Sequence, residues 1–296
     1  LAILYFESLE QALEASLAIN PPQASGSSVA ACELVDKVLL DLHEAAGQTP
    51  GNPKHAKKIT GNAFLDLFYE LGAQAVLIVE TDGENPGAAR SALETAIERA
   101  APFSLRSAVA NDVSSEQRIW DLRRHTSPIL NRLEDGKISI KPLWGVEDVS
   151  LPRATFLAYV REQRRLFDRF GLTCSFFGHA ASCNLHIDPL AVDPRRARKD
   201  AELAKLYDEV AAESYALIVR HGGSISGEHG SGLSRTWFLR KQFGPLYDVF
   251  REVKRIFDPQ NLLNPGKVIP TLHRCAEYGK MLVRAGQISH PDLPRF

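Results

Sequence analysis

The chain has 296 residues, 44% of them hydrophobic and 24% charged, with a net charge of -1. That composition suits one large or two ordinary folded domains with a sizeable core, and it excludes a disordered or fibrous chain. The near-zero charge offers no global attraction for nucleic acid or an anionic membrane.

The opening run Leu1-Ala-Ile-Leu-Tyr-Phe6 reads as a strand that begins without an initiator Met or a polar lead-in. A domain boundary inside a longer polypeptide is therefore expected there. Residues 8–19 place Leu9, Ala12, Leu13, Ala15 and Leu17 at helical spacing. A second strand is predicted at 28–34 and a helix with one apolar face at 35–46. The polar stretch 47–61 follows, then a third strand at 75–79. Thr81-Asp-Gly-Glu-Asn-Pro86 opens another helix, with Pro86 at an early position where proline is tolerated. A strand at 104–110 precedes a long helix at 114–133 whose expected N-cap is Ser114 or Ser115. Further strands are predicted at 137–141, 173–177 and 184–187, with a helix at 154–170 between them.

A long amphipathic helix over 194–221 stops at Gly222-Gly223. Its start carries the basic cluster Arg195, Arg196, Arg198 and Lys199, read as a solvated helix start because acidic residues follow closely. The last element spans 236–257. It ends in Asp258-Pro-Gln-Asn-Leu-Leu-Asn-Pro-Gly-Lys267, a turn by its two prolines and glycine. The pattern predicts an α+β fold, mostly antiparallel sheet covered by helices. It contains no repeat, no Gly-x-Gly-x-x-Gly fingerprint and no Walker A loop.

Cys32, Cys174, Cys183 and Cys275 are widely spaced and form no Cys-x-x-Cys pair. This argues against a zinc ribbon, a disulfide scaffold or an iron–sulfur cluster within these residues, and for a reducing compartment. No apolar run is long enough to span a bilayer and no signal peptide is visible. A cytoplasmic location is expected, and peripheral contact with the inner membrane is compatible with it.

Two segments carry the candidate chemistry. In Phe177-Gly-His-Ala-Ala-Ser-Cys-Asn-Leu-His-Ile-Asp188, two histidines stand seven apart with small residues between them. Imidazole is a common metal ligand, and a neighbouring glycine or alanine lets backbone and substrate approach. In Gly222-Gly-Ser-Ile-Ser-Gly-Glu-His-Gly-Ser-Gly232, five glycines fall within eleven residues around Glu228 and His229. Such density is costly unless the backbone needs left-handed conformations or must admit a ligand. One carboxylate with two imidazoles can hold a divalent cation, leaving a further histidine as base. The same donors could activate water in a metal-dependent hydrolase, although His-Glu-x-x-His is absent.

Gly178-His179, His186 and Gly227-Glu228-His229-Gly230, with Glu147-Asp-Val-Ser-Leu-Pro152 and the 258–267 turn, resemble the C-terminal domain of FAD-linked oxidases. That group includes D-lactate, glycolate and D-2-hydroxyglutarate dehydrogenases within the vanillyl-alcohol-oxidase-like superfamily. The resemblance implies that residues 1–269 form the substrate and metal domain, and 270–296 a tail or linker. It implies an FAD-binding domain outside this chain, so that these residues alone would be inactive. His179, His186 and Glu228 would bind a divalent metal, zinc or else manganese or iron, and His229 would be the general base. Arg123, in Trp120-Asp-Leu-Arg-Arg124, would pair with the carboxylate of a small 2-hydroxy acid, with Lys141 and Asn184 as further substrate contacts. Ala181-Ser-Cys-Asn-Leu-His186 departs from the Gly-Asp-Gly-Asn-Leu-His of many relatives, and Asp188 stands where some place Asn. That departure resembles the long members with a following iron–sulfur module; a homodimer is also compatible. A non-redox branch of the same superfamily is the remaining enzymatic alternative.

Overall fold

The computed structural model describes residues 1–21, 29–47, 62–124, 140–142, 146, 148–192, 200–232 and 234–269. The basic cluster at 195–199, Cys275 and the tail lie outside them, as do parts of the elements expected at 114–133, 137–141 and 194–221. In chain order the elements are β1 (Ala2–Phe6), α1 (Leu9–Ile19), β2 (Val29–Asp36), α2 (Lys37–Gly47), α3 (Ala63–Glu70) and β3 (Ala75–Thr81). Next come α4 (Pro86–Ala100), β4 (Arg106–Val109), α5 (Val113–Arg124), β5 (Ile140–Pro142), β6 (Val149–Ser150) and α6 (Phe156–Arg169). Then follow β7 (Thr173–His179), β8 (Asn184–Val192), α7 (Asp200–Arg220), α8 (Leu239–Phe243) and α9 (Leu246–Phe257). The chain divides into two compact units, Leu1–Lys141 with Cys174–Ile187, and Pro142–Thr173 with Asp188–Phe296.

The first unit is built on the sheet expected from the sequence. Strand order is β4–β1–β3–β2–β7–β8–β5, and the β1–β3, β1–β4, β2–β3 and β2–β7 pairs are antiparallel. All five residues of β1 are buried, so the strand is covered on both faces. Tyr5 needs a partner for its hydroxyl in that position and donates to the Phe64 carbonyl at 3.0 Å. Burying side chains such as Phe6, Phe68 and Leu77 contributes roughly 1.5–3 kcal/mol each. The helices begin where the capping chemistry places them. Ser8 accepts from the Gln11 amide, and Asn85 accepts from the Ala88 amide with Pro86 in the first turn. For α5 the cap is Asp112 rather than Ser114 or Ser115: its carboxylate accepts from the Ser115 amide at 2.7 Å. Ser115 Oγ in turn accepts from the Asn111 and Asp112 amides, a reciprocal arrangement that satisfies both sides.

Strand β2 runs two residues further than expected, and Asp36 shows why. One carboxylate oxygen caps α2 by accepting from the Leu39 amide at 3.1 Å. The other accepts from the Phe176 amide on β7 at 2.8 Å. This buried residue both ends the strand and ties β2 to β7.

In the second unit α6 lies against α7. Gln163 donates to Ser214 Oγ at 2.8 Å between two fully buried side chains. Helix α7 stops as expected, with Gly222 at φ +73 and the Gly223 amide donating to the Ile218 carbonyl. Gly223 is glycine for a steric reason. A Cβ there would lie 2.6 Å from Leu151 Cδ1 and 2.8 Å from the Ser150 carbonyl. That approach allows Ser150 and Ser224 to exchange two main-chain hydrogen bonds, of 3.1 and 2.8 Å. The expected single element at 236–257 is instead a short 3-10 turn, α8 and α9, separated at Gly244 (φ +53) and Pro245. In the 258–267 turn, Asp258 gathers the Leu262 and Leu263 amides at 2.9 and 2.8 Å. Among the described residues no helix is long and apolar enough to cross a membrane.

Candidate functional site

The first unit carries Arg123, His179, Asn184 and His186, and the second carries Glu228 and His229. Lys141 lies in β5, with its side chain outside the described atoms.

In the first unit, β7 ends on Gly178-His179, a 3-10 turn spans Ala180–Ser182, and Cys183 (φ 57) returns the chain into β8. Gly178 sits at φ +125, and a Cβ on it would lie 3.0 Å from His186 Cδ2 and 3.1 Å from the Asn184 carbonyl. A glycine is therefore what lets the start of β8, and His186 with it, close onto β7. His186 is buried, with its ring 4.9 Å from Phe177 and edge-on to His179 at 5.9 Å between centroids.

His179 is held by a residue that composition and spacing do not single out. Glu33 on β2 is its register partner across the β2–β7 ladder, and Glu33 Oε1 hydrogen-bonds His179 Nδ1. The second oxygen of Glu33 accepts from Arg123 Nε at 2.7 Å, and the Arg123 guanidinium lies 5.1 Å above the Phe177 ring. The side chains of Glu33 and Arg123 are 6% and 17% exposed, so both charges are largely removed from water. Burial pushes the Glu33 carboxyl upward, but the hydrogen bonds and charges of His179 and Arg123 outweigh it and hold the group below the usual carboxylate range. Removing one partner of such a pair typically costs about 3–5 kcal/mol.

In the second unit the glycine-rich loop wraps around Asp148, which is completely buried. Its carboxylate accepts from the His229 amide at 2.8 Å, the Glu228 amide at 3.1 Å and Ser226 Oγ at 3.0 Å. The Asp148 carbonyl accepts from the Gly227 amide at 3.2 Å. Consecutive main-chain amides converging on one anion form a nest, and the left-handed Gly230 (φ +77) lets the loop leave it. Arg235 closes the far end by donating to the Gly230 carbonyl at 3.0 Å. The backbone of Glu228 and His229 is thus pinned from beneath while their side chains stay 44% and 49% exposed, 3.5 Å apart at Oε1 and Nε2.

In each unit a buried carboxylate holds candidate residues, Glu33 engaging Arg123 and His179, and Asp148 the main chain of Glu228 and His229. Glu33 had one legible signal, a charge in the otherwise apolar run 29–35. Asp148 stood inside a recognisable motif but without a role.

The likeness to known proteins is extensive. Residues 1–268 match the family described as FAD linked oxidases, C-terminal domain. The chain is 32% identical over 286 residues to the glycolate oxidase subunit GlcD of Escherichia coli, covering 93% of this chain and 54% of that subunit. It is 34% identical over 179 residues to a D-2-hydroxyglutarate dehydrogenase of Pseudomonas putida, covering 60% of this chain and 16% of that protein. The chain thus spans about half the length of the first relative and a smaller share of the second. Among solved structures, p-cresol methylhydroxylase with substrate bound matches with a TM-score of 0.55 at 14% identity, over 91% of this chain and 52% of that one. That last likeness is one of fold alone. A family match running from the first strand through the 258–267 turn agrees with the motifs and with the mostly antiparallel α+β architecture, and the chain belongs to the C-terminal domain family of FAD linked oxidases.

Proposed function

We propose that this chain is the substrate- and metal-binding part of a flavin-dependent dehydrogenase that oxidises a D-2-hydroxy acid to the 2-oxo acid. The observation that carries the reading is the match to a glycolate oxidase subunit over 93% of the chain, which takes in both histidine-bearing segments. FAD is held mainly by a flavin-binding domain outside these residues. Family membership weighs against the hydrolase alternative.

His179, His186 and Glu228 are the proposed ligands of a divalent metal, zinc or else manganese or iron, since two imidazoles and a carboxylate suit all three. Two observations support the fit. Glu33 engages Nδ1 of His179, the kind of partner that metal-binding histidines use on their second nitrogen. Gly178 brings His186 close to the strand that ends in His179. When bound, the metal would supply Lewis-acid charge for the substrate and the flavin would supply the two-electron acceptor. His229 takes the hydroxyl proton, with its main chain fixed by Asp148 so that the imidazole is presented in one place. Arg123, whose Nε is already engaged by Glu33, is the proposed partner of the substrate carboxylate, with Asn184 and Lys141 as further contacts.

The test uses the full-length protein with FAD, divalent metal, D-2-hydroxy acids and an artificial electron acceptor. His229→Ala is expected to lower kcat by about 10²–10⁴-fold, and a rate within about threefold of the parent would remove His229 as base. Metal analysis of Glu228→Ala and His186→Ala addresses the ligand set separately; retained stoichiometric metal in both would overturn it.

A further inference from the structure

A buried carboxylate facing a half-exposed imidazole from the neighbouring strand has two geometric consequences. Glu33 Oε2 accepts from Arg123 Nε, and Oε1 is directed at His179 Nδ1. A carboxylate held by a cationic donor is an acceptor, so Nδ1 must carry the hydrogen, and a neutral imidazole then has its lone pair on Nε2. Because Glu33 and His179 are register partners on β2 and β7, the contact is fixed by the ladder rather than by a loop. Asp36, three residues along β2, anchors the same two strands through the Phe176 amide. The ring plane of His179 is therefore constrained from one side by a group that is itself immobilised.

We infer that Glu33 is a positioning residue that sets the tautomer and ring orientation of His179, so that Nε2 is the atom offered to a divalent cation. The inference rests on the proposal that His179 is a metal ligand. It adds a residue, and a distinction between the two ring nitrogens, that the ligand set alone does not contain. Arg123 belongs to the same device: by donating to Oε2 it keeps Oε1 turned toward the histidine.

The experiment has two independent readouts on the full chain. The first needs no metal: long-range proton–nitrogen correlation spectra of histidine-labelled protein at mildly alkaline pH, with His179→Gln identifying the signal. His179 is expected as the Nδ1–H tautomer in the parent. In Glu33→Gln, whose amide cannot accept from both His179 and Arg123, the signal should move to the Nε2–H form or to a mixture. The second readout is zinc affinity by competition with a chromophoric chelator, where Glu33→Gln is expected to weaken binding by about 10–100-fold. An Nε2–H tautomer in the parent would overturn the inference, with no variant needed. So would an Nδ1–H tautomer that survives Glu33→Gln, or zinc affinity unchanged in that variant. A parent chain that shows the expected tautomer and its loss in Glu33→Gln but holds no zinc would remove the ligand reading, leaving the control of His179 by Glu33 standing.

Discussion

Replacing Asp148 by alanine would strip the glycine-rich loop of its internal anion. Asp148 is fully buried and accepts from two backbone amides and one hydroxyl, all from residues 226–229. A buried donor left without a partner costs about 1–3 kcal/mol. The Ser226 hydroxyl can rotate to a new acceptor, which leaves the two amides as the main loss. The cost is thus about 2–6 kcal/mol if the loop stays in place, and the loop will leave its position before paying the upper figure. A loss of about 3 kcal/mol corresponds to a drop in Tm of about 6–12 °C for a domain of this size. Asp148→Asn keeps the shape and one acceptor but turns an NH₂ group toward an amide, so it should fall between alanine and the parent. Hydrogen exchange of peptides covering 222–232, followed by mass spectrometry, reads the loop directly, and thermal melting reads the whole. Exchange in that loop at the parental rate in Asp148→Ala, with Tm within about 1 °C, would refute the nest as the device that holds Glu228 and His229.

Gly223→Ala should be far more damaging than Gly222→Ala. A Cβ at 223 meets Leu151 at 2.6 Å and the Ser150 carbonyl at 2.8 Å, whereas at 222 the nearest atom is 3.5 Å away. The expected result is loss of soluble protein, or the larger drop in Tm, for Gly223→Ala; equal melting of the two would show that the 150–224 bridge is dispensable. Gly178→Ala should displace His186 and lower zinc affinity while leaving the far-ultraviolet spectrum intact, and unchanged affinity would contradict the close approach of β7 and β8. Asp208 on α7 has a carboxyl raised from 3.8 to about 6, first by burial and then by the Glu209 charge. Its ionised form is thus disfavoured in the folded chain, so stability present below the ordinary value is lost as pH rises through about 6. Two pH units set a ceiling of about 3 kcal/mol, and partial exposure reduces this to about 1 kcal/mol. Asp208→Asn should therefore melt higher than the parent at about pH 8 and no higher at about pH 4; an equal gain at both would assign the effect to something other than ionisation.

Elements with a strong local signal were legible in the sequence. The apolar runs of β1 and β3, the Pro86 start of α4 and the Gly222 stop of α7 each follow from chemistry within a few residues. Elements decided by distant partners were not. Strand β8 continues through Pro189 to Val192, although a proline argues for ending a strand at Ile187. Strand β2 claims Val35 and Asp36 because Asp36 is satisfied by Leu39 and by Phe176, 140 residues away. Helix α3 was missed because its eight residues follow directly on a polar stretch with breakers. The same division holds at the candidate site. Its histidines and glycine-rich loop were visible by residue type and spacing. Glu33 and Asp148 lie 146 and 80–81 residues from the groups they hold, and nothing in a local pattern reports such a pairing.

The Glu33–His179 contact also bears on how the protein reaches its native state. Bringing together two residues 146 positions apart costs about 4 kcal/mol of chain entropy, and the cost falls due before the β2–β7 ladder returns anything. Contacts of that range form late, after local hairpins and helices. A slip of one residue between β2 and β7 would carry His179 to the opposite face of the sheet and set Gly178 against the Glu33 carboxylate. The hydrogen bond is thus available only in one alignment, and it adds to the gap between that alignment and its nearest competitors. The residue that orients the histidine would then also proofread the register of the strand that carries it.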